Sequence, residues 1–184
     1  MPASPPDPGA PFSRERLALS FRAVNRQGQP GHDPGLQRHH LLPCQLVAAP
    51  ALRGLVEDVG LKRIGFDDFR RNGLLLPASE DAVRLLALPL HRGPHRGYNA
   101  MVLERVGRIE AHWAVQRRRW AEAAREEALF RIGLLQGALR RRLLAPLGRR
   151  MVLNRRDPAL SPAPVFDDLD AMAEFLWSET AEVG

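Results

Sequence analysis

The chain has 184 residues, a hydrophobic fraction of 45% and a formal net charge of +6. This length fits one domain with short tails, and the apolar fraction is large enough for a core. No apolar run approaches the roughly 20 residues of a membrane-spanning helix. The N-terminus has no apolar region of the kind that a secretory signal peptide carries. We therefore expect a cytoplasmic protein, or an effector secreted without a classical signal peptide.

The basic residues are almost all arginine, since Lys62 is the only lysine among 27 basic residues. Arginine makes bidentate contacts with phosphate, so the charge permits a nucleic-acid partner. The codon usage of a GC-rich genome produces the same bias, and the charge alone therefore does not demonstrate such a partner. Cys44 is the only cysteine, which excludes an intrachain disulfide.

Composition divides the chain into four parts. Residues 1–35 are rich in proline and predict a partly flexible N-terminal segment. Residues 36–150 carry the predicted folded domain, and residues 151–164 form a proline-broken linker. Residues 165–184 have apolar residues at helical spacing between acidic ones. They predict an amphipathic helix that docks against the basic body.

Within 36–150 the pattern predicts a mostly helical α+β fold. Residues 37–46 form a short apolar stretch with Pro43 inside it, which indicates a strand or an extended loop, and residues 74–76 indicate a buried strand that Pro77 ends. Asn72-Gly73 favours positive φ and predicts a turn before the second strand. Helices are predicted over residues 48–59, 79–86 with Ser79 as N-cap, 101–119 and 120–144.

Five polar side chains next to these strands are candidates for one site: His39, His40, Asn72, His91 and His95. Hydrolysis of a phosphodiester needs a base near neutral pH, which histidine provides, and a Lewis acid, which a divalent metal provides. Adjacent residues of a strand point to opposite faces, so the histidine pair could divide these tasks if the strand bends. The alternative is that these histidines are ordinary surface groups and that Asn72-Gly73 is only a turn.

The spacing of the second histidine pair is that of two ligands on one helical face. Gly93-Pro94 interrupts it. We therefore expect His91 just before a helix and His95 in its first turn, with both able to reach one ion.

Three motifs in this order resemble the AHH nuclease family, a branch of the HNH/endonuclease VII (treble-clef, ββα-metal) superfamily found among predicted bacterial toxin domains. They are HHLLP at 39–43, NGLLLP at 72–77 and LHRGPHRGYN at 90–99. The resemblance implies a ββα-metal (His-Me finger) core of two short strands and a helix, followed by long C-terminal helices.

The resemblance also implies roles for the five side chains. His39, His91 and His95 would be metal ligands, His40 the general base, and Asn72 the residue that orients His40. Which histidine of the adjacent pair is the base stays open.

Three arginines are candidates for contact with nucleic acid. The alanine of the family motif is Arg38 here, and Arg92 and Arg96 flank the histidines of the second pair. Each could bind a phosphate, or each could be part of a solvated basic surface.

The sequence thus favours a metal-dependent endonuclease that acts on DNA rather than RNA and uses one divalent ion (Zn, Ni, Mn or Mg). A role as a bacterial toxin or mobile-element nuclease would add an acidic immunity protein as a partner. The alternative is a non-catalytic, Arg-rich nucleic-acid-binding or structural protein that retains the nuclease scaffold.

Overall fold

A computed structural model describes residues 18–158. Its sheet has two antiparallel strands, β1 (Leu36–His40) and β2 (Gly73–Pro77). In their register His39 lies opposite Leu74, and His40 lies opposite Gly73. Four of the five residues of β2 are buried, so this strand forms the inner member of the pair.

The remaining elements are helices. Four short ones connect the two strands, a fifth follows β2, and two long ones complete the described region: α1 (Gln45–Ala48), α2 (Arg53–Val59), α3 (Leu61–Ile64), α4 (Phe69–Asn72), α5 (Glu80–Leu86), α6 (Arg96–Gln116) and α7 (Ala121–Leu143). A mostly helical α+β fold with a two-stranded sheet is confirmed. Within residues 18–158, no helix combines the length and the apolar character that a membrane crossing requires.

One core connects these elements. The apolar residues that follow β1, Leu41, Leu42 and Leu46, are fully or almost fully buried. They share a cluster with α2, with the inner face of β2 and with one face each of α6 and α7. Burial of aliphatic side chains is the main favourable term in folding, so this core fixes α6 relative to the sheet.

The prediction of Ser79 as an N-cap is confirmed, since its side chain accepts a hydrogen bond from the Ala82 N–H. The first long helix begins at Arg96, one residue after the histidine that we expected in its first turn. His95 is its N-cap residue, with φ of −95° and ψ of 57°, so the histidine precedes the first turn. Pro94, which lacks an N–H, stands just outside the helix.

The prediction of a positive-φ turn at Asn72-Gly73 is wrong. Asn72 is the last residue of α4, and Gly73 has an extended conformation with φ of −117°. A Cβ at Gly73 would lie 2.3 Å from the Phe69 ring. Glycine is therefore required for close packing between α4 and β2, and the left-handed region has no part in it.

The ends of the described region pack on the body. Near the N-terminal end, the Leu19 N–H donates to Asp68 Oδ1 at 3.1 Å. At the other end, Leu153 is buried, and Arg150 and Asp157 form an ion pair at 2.8 Å with almost no exposed side-chain area. The predicted acidic helix at 165–184 lies outside the described residues, as do residues 1–17.

Candidate metal centre

Three histidines from two separate parts of the chain meet beside the sheet. His39 on β1 is 3% exposed, and its ring centroid lies 4.9 Å from that of His91 and 5.7 Å from that of His95. The rings of His91 and His95 are 4.5 Å apart. One nitrogen of each ring lies within 4.8 Å of the other two. Three imidazoles this close can share one metal ion.

Residues 88–95, which we call the ligand loop, bring two of these rings to β1. The His91 N–H donates to the Pro77 carbonyl at the end of β2, at 2.7 Å. The Leu90 N–H donates to Asp157 Oδ2 at 2.9 Å, and Leu90 itself is 2% exposed. His95 then starts α6, as its carbonyl accepts from the Asn99 N–H at 2.9 Å. An irregular loop is thus fixed at both ends by regular structure.

Oxygen acceptors hold two of the rings in one tautomer. His91 Nδ1 lies 3.1 Å from Gln37 Oε1, and His95 Nδ1 lies 3.3 Å from the Leu153 carbonyl oxygen. Because a carbonyl oxygen only accepts, each Nδ1 carries the hydrogen and each Nε2 keeps its lone pair. Outer partners of this kind are typical of metal-bound histidine, whose orientation and basicity they set.

The third ring contains an unmet polar atom. His39 Nε2 is buried and has no hydrogen-bond partner among the described residues. Burying such an atom without a partner costs about 1–3 kcal/mol. A divalent ion would satisfy it, and three neutral imidazoles suit a borderline cation such as Zn²⁺. The three histidines are therefore suited to bind a divalent metal ion.

Burial keeps the three imidazoles neutral. Desolvation, followed by the nearby His91 and His95 rings, lowers the pKa of His39 to about 3. Desolvation and the His95 ring lower the pKa of His91 to about 4. Desolvation lowers the pKa of His95 as well, although the Leu153 carbonyl opposes it. Neutral imidazole is the form that binds metal, so the cluster needs no deprotonation near pH 7.

Tyr98, in the first turn of α6, packs against the ring of His39. Its ring centroid lies 4.9 Å from that of His39, and its hydroxyl donates to the Leu41 carbonyl at 2.7 Å. Burial raises the pKa of Tyr98, so the hydroxyl stays a donor. The first turns of α6 therefore hold both the ring of His39 and the backbone that follows it.

A family model described as a nuclease family of the HNH/ENDO VII superfamily with conserved AHH matches residues 20–136, more than half of the chain. The chain belongs to the AHH nuclease family. No curated protein and no solved structure gives a significant match. Nucleases of this superfamily typically use a divalent metal, which agrees with the donor set at the histidine cluster.

The general base expected in this AHH-family chain lies on the other face of β1. The His40 ring stacks on Phe21, with centroids 3.7 Å apart and planes within 1°. Phe66 lies near it at 5.8 Å. Desolvation lowers the pKa of His40, the charge of Arg38 adds to this, and Asp67 opposes it. The strand keeps its alternation through His40, so the structure brings together His39, His91 and His95 and gives His40 separate ring neighbours.

Asn72 is fully buried and serves the backbone next to β1. Its Oδ1 accepts from the Leu42 N–H at 2.8 Å, and its Nδ2 donates to the Phe66 carbonyl at 3.0 Å. Its own carbonyl accepts from the Leu41 N–H. These bonds are made to the segments that flank the His40 ring, and none is made to the ring itself. Any effect of Asn72 on His40 therefore passes through the positions of Leu41 and Phe66.

The three candidate arginines separate into two groups. Arg38 Nη1 donates to the Phe21 carbonyl at 2.8 Å, which holds the segment whose ring covers His40. Arg92 and Arg96 are exposed and follow the candidate ligands His91 and His95 in the sequence, and both line the same cleft.

Sequence reasoning missed several residues that support this centre. Gln37 stands two positions before His39, so the two-residue period of a strand could have placed both on one face. The Leu153 carbonyl and the Asp157 carboxylate had no local signal, because they are 58 and 67 residues from their partners.

Proposed function

We propose that this chain is a metal-dependent endonuclease that hydrolyses phosphodiester bonds in DNA. The observation that supports it best is the meeting of His39, His91 and His95 with their ring nitrogens within 4.8 Å of one another. The Nδ1 partners of His91 and His95 leave both Nε2 atoms free to bind. All-histidine ligation favours Zn, Ni or Mn over Mg by ligand softness.

In this proposal the three histidines hold one divalent ion, which supplies Lewis-acid stabilisation of the charge on the scissile phosphate. The chain's own residues do the remainder. Arg92 and Arg96 bind phosphate oxygens beside the ligands and set the register of the strand. Neutral imidazole at His40 accepts a proton from the attacking water.

The assignment of His40 as general base is supported by its free ring nitrogens. No described residue hydrogen-bonds either nitrogen, and the Phe21 ring fixes the plane of the imidazole. Because His39 and His40 point to opposite faces of β1, this role requires the substrate to pass around the end of the strand, where His40 is the last residue. Asn72 would position His40 indirectly, through the Leu42 and Phe66 backbone.

A plasmid-nicking assay with purified protein tests the function. We expect nicking of supercoiled DNA that EDTA abolishes and that added Zn²⁺, Ni²⁺ or Mn²⁺ restores. His91→Ala should lower the rate at least about 100-fold, because outer-sphere losses alone reach this range. His112→Ala is the matched control, since it lies about 25 Å along α6 from His95 and pairs with Glu127.

The same assay separates the roles. His40→Ala should reduce nicking by about 100-fold or more, the usual contribution of a general base, while metal binding is retained. Full activity in His40→Ala would exclude it as the base and leave the metal proposal intact. Nicking that persists unchanged in EDTA and in His91→Ala would exclude the metal proposal.

A toxin role is part of the same proposal. The net charge of +6 suits a small acidic immunity protein as inhibitor. A neighbouring gene for such a protein, whose product forms a complex with this chain and stops nicking, would support the role. Parallel assays with DNA and RNA of one sequence test the preference for DNA.

A further inference from the structure

A cleft of about 600 Å³ opens where the ligand loop meets residues 150–157. One wall carries Arg92 and Arg96, each adjacent to a ligand histidine, and the other carries Arg155 and Arg156. Tyr98, whose ring contacts His39, lines the same cleft. The cleft therefore lies directly beside the candidate metal centre.

We propose that Arg155 and Arg156 form, with Arg92 and Arg96, a binding groove for the phosphates of the substrate strand next to the histidine cluster. This inference rests on the proposed function, because it treats a phosphodiester strand as the ligand. Residues 155 and 156 lie beyond the part of the chain that the family model matches, which ends at residue 136.

The charge of the cleft is uncompensated within residues 18–158. All four arginines are exposed, and none makes an ion pair with a described carboxylate. No acidic side chain among residues 18–158 lines the cleft. Ion-paired arginines occur elsewhere in the described region: Arg63, Arg84, Arg108, Arg125, Arg131 and Arg150. Four guanidinium groups around one concave surface concentrate positive potential there.

Hydrogen bonds hold the second wall against the first. The Asn154 side-chain amide donates to the Arg92 carbonyl, and Asn154 Oδ1 accepts from the Arg156 N–H at 2.8 Å. Asp157 follows immediately and binds both Arg150 and the Leu90 N–H. The backbone on both sides of the cleft is thus fixed before a ligand arrives, which reduces the entropy lost on binding.

A nucleic-acid strand suits these observations better than a single anion. Each guanidinium group can bind two oxygens of a phosphate. Four such groups on two walls are more than a single phosphate can contact, but they match several phosphates along a strand. The cleft is also lined by Tyr98, whose ring contacts His39, and by Leu153, whose carbonyl contacts His95, so it lies near the place where a scissile phosphate would bind in the proposed function. An acidic protein is the competing occupant.

The test measures binding without cleavage. Fluorescence anisotropy with a labelled DNA duplex in EDTA compares the wild-type chain with Arg155→Ala/Arg156→Ala. The control is Arg118→Ala/Arg119→Ala, which removes the same charge at the far end of α6, about 30 Å from Arg96. Neither control arginine forms an ion pair with a described residue.

We expect the cleft variant to bind DNA roughly 10-fold more weakly at physiological salt, with its salt slope reduced by about 1.8 for two lost phosphate contacts on a duplex. The control should change affinity less than about 2-fold. Equal affinity and equal salt slope in the two variants would overturn the proposal and would leave the cleft to an acidic protein. Wild-type protein that binds through the cleft but never nicks DNA would instead contradict only the proposed function.

Discussion

Gln37 shows how one side chain outside the histidine cluster can control it. Its Oε1 lies 3.1 Å from His91 Nδ1, and the two residues are separated by 54 positions in the sequence. The contact joins β1 to the ligand loop and orients the ring whose other nitrogen would bind metal. Gln37 is therefore a positioning residue for His91.

We predict that Gln37→Ala lowers the affinity of the histidine cluster for Zn²⁺ or Ni²⁺ by about 10-fold. This is the low end of the range for loss of an outer partner, because Gln37 is exposed to water that can partly replace it. Isothermal titration calorimetry measures the affinity. Gln29→Ala, in an exposed loop, is the control. Unchanged affinity in Gln37→Ala would show that water orients His91 equally well.

Among the structural elements, the segment 150–157 supports the ligand loop from outside the family region. The Met151 N–H donates to the Arg142 carbonyl near the end of α7, and the Leu153 carbonyl holds His95. Asp157 completes the contact by binding Arg150 and the Leu90 N–H. The Nε and Nη1 atoms of Arg150 have no hydrogen-bond partner among the described residues. The ion pair with Asp157 is therefore the main interaction that balances the buried charge of Arg150.

We predict that Asp157→Asn lowers the free energy of unfolding by about 3–5 kcal/mol, because it leaves the buried Arg150 charge uncompensated. Urea denaturation followed by circular dichroism measures this change. Asp81→Asn is the control, since its pair with Arg84 is exposed and exposed pairs contribute at most about 1 kcal/mol. A change in Asp157→Asn no larger than in the control would mean that this ion pair does not stabilise the fold.

These elements also show where sequence reasoning works and where it fails. The second strand, the long helices and the Ser79 cap follow from local periodicity and side-chain chemistry, and the family assignment follows from three ordered motifs. The predicted strand over residues 37–46 is correct only as far as His40, because Gln45–Ala48 is helical. Gly73 was misread because close packing and positive φ both select glycine, and only the Phe69 ring distinguishes them. The contacts of Asp157 could not be predicted, because the tertiary fold creates them. The roles given to His40 and Asn72 stay predictions.

For the whole molecule, the proposed metal site would link ion binding to folding. The three histidines come from β1, the ligand loop and the start of α6 and meet in the native state, so an ion bound between them would stabilise the fold. At a free metal concentration 100 times the dissociation constant, the gain is about 2.7 kcal/mol.

We therefore predict that Zn²⁺ or Ni²⁺ raises the thermal unfolding midpoint of the wild-type chain and that EDTA reverses the increase. His91→Ala should lose the increase, whereas His112→Ala should retain it. Differential scanning calorimetry measures both. An equal increase in His91→Ala would place the stabilising ion at some other site.

The hydrogen bond between His95 and the Leu153 carbonyl bears on when the histidine cluster can assemble during synthesis of the chain. A chain leaving the ribosome presents His39 early, but the acceptor for His95 follows 58 residues after that histidine, and Asp157 follows Leu90 by 67 residues. Both acceptors follow α6 and α7 in the chain, so these contacts form only after both helices have been synthesised. We expect a nascent chain that ends before residue 150 to hold its three imidazoles loosely. If the proposed function is correct, the order of synthesis delays assembly of the metal centre until residues 150–157 have been made.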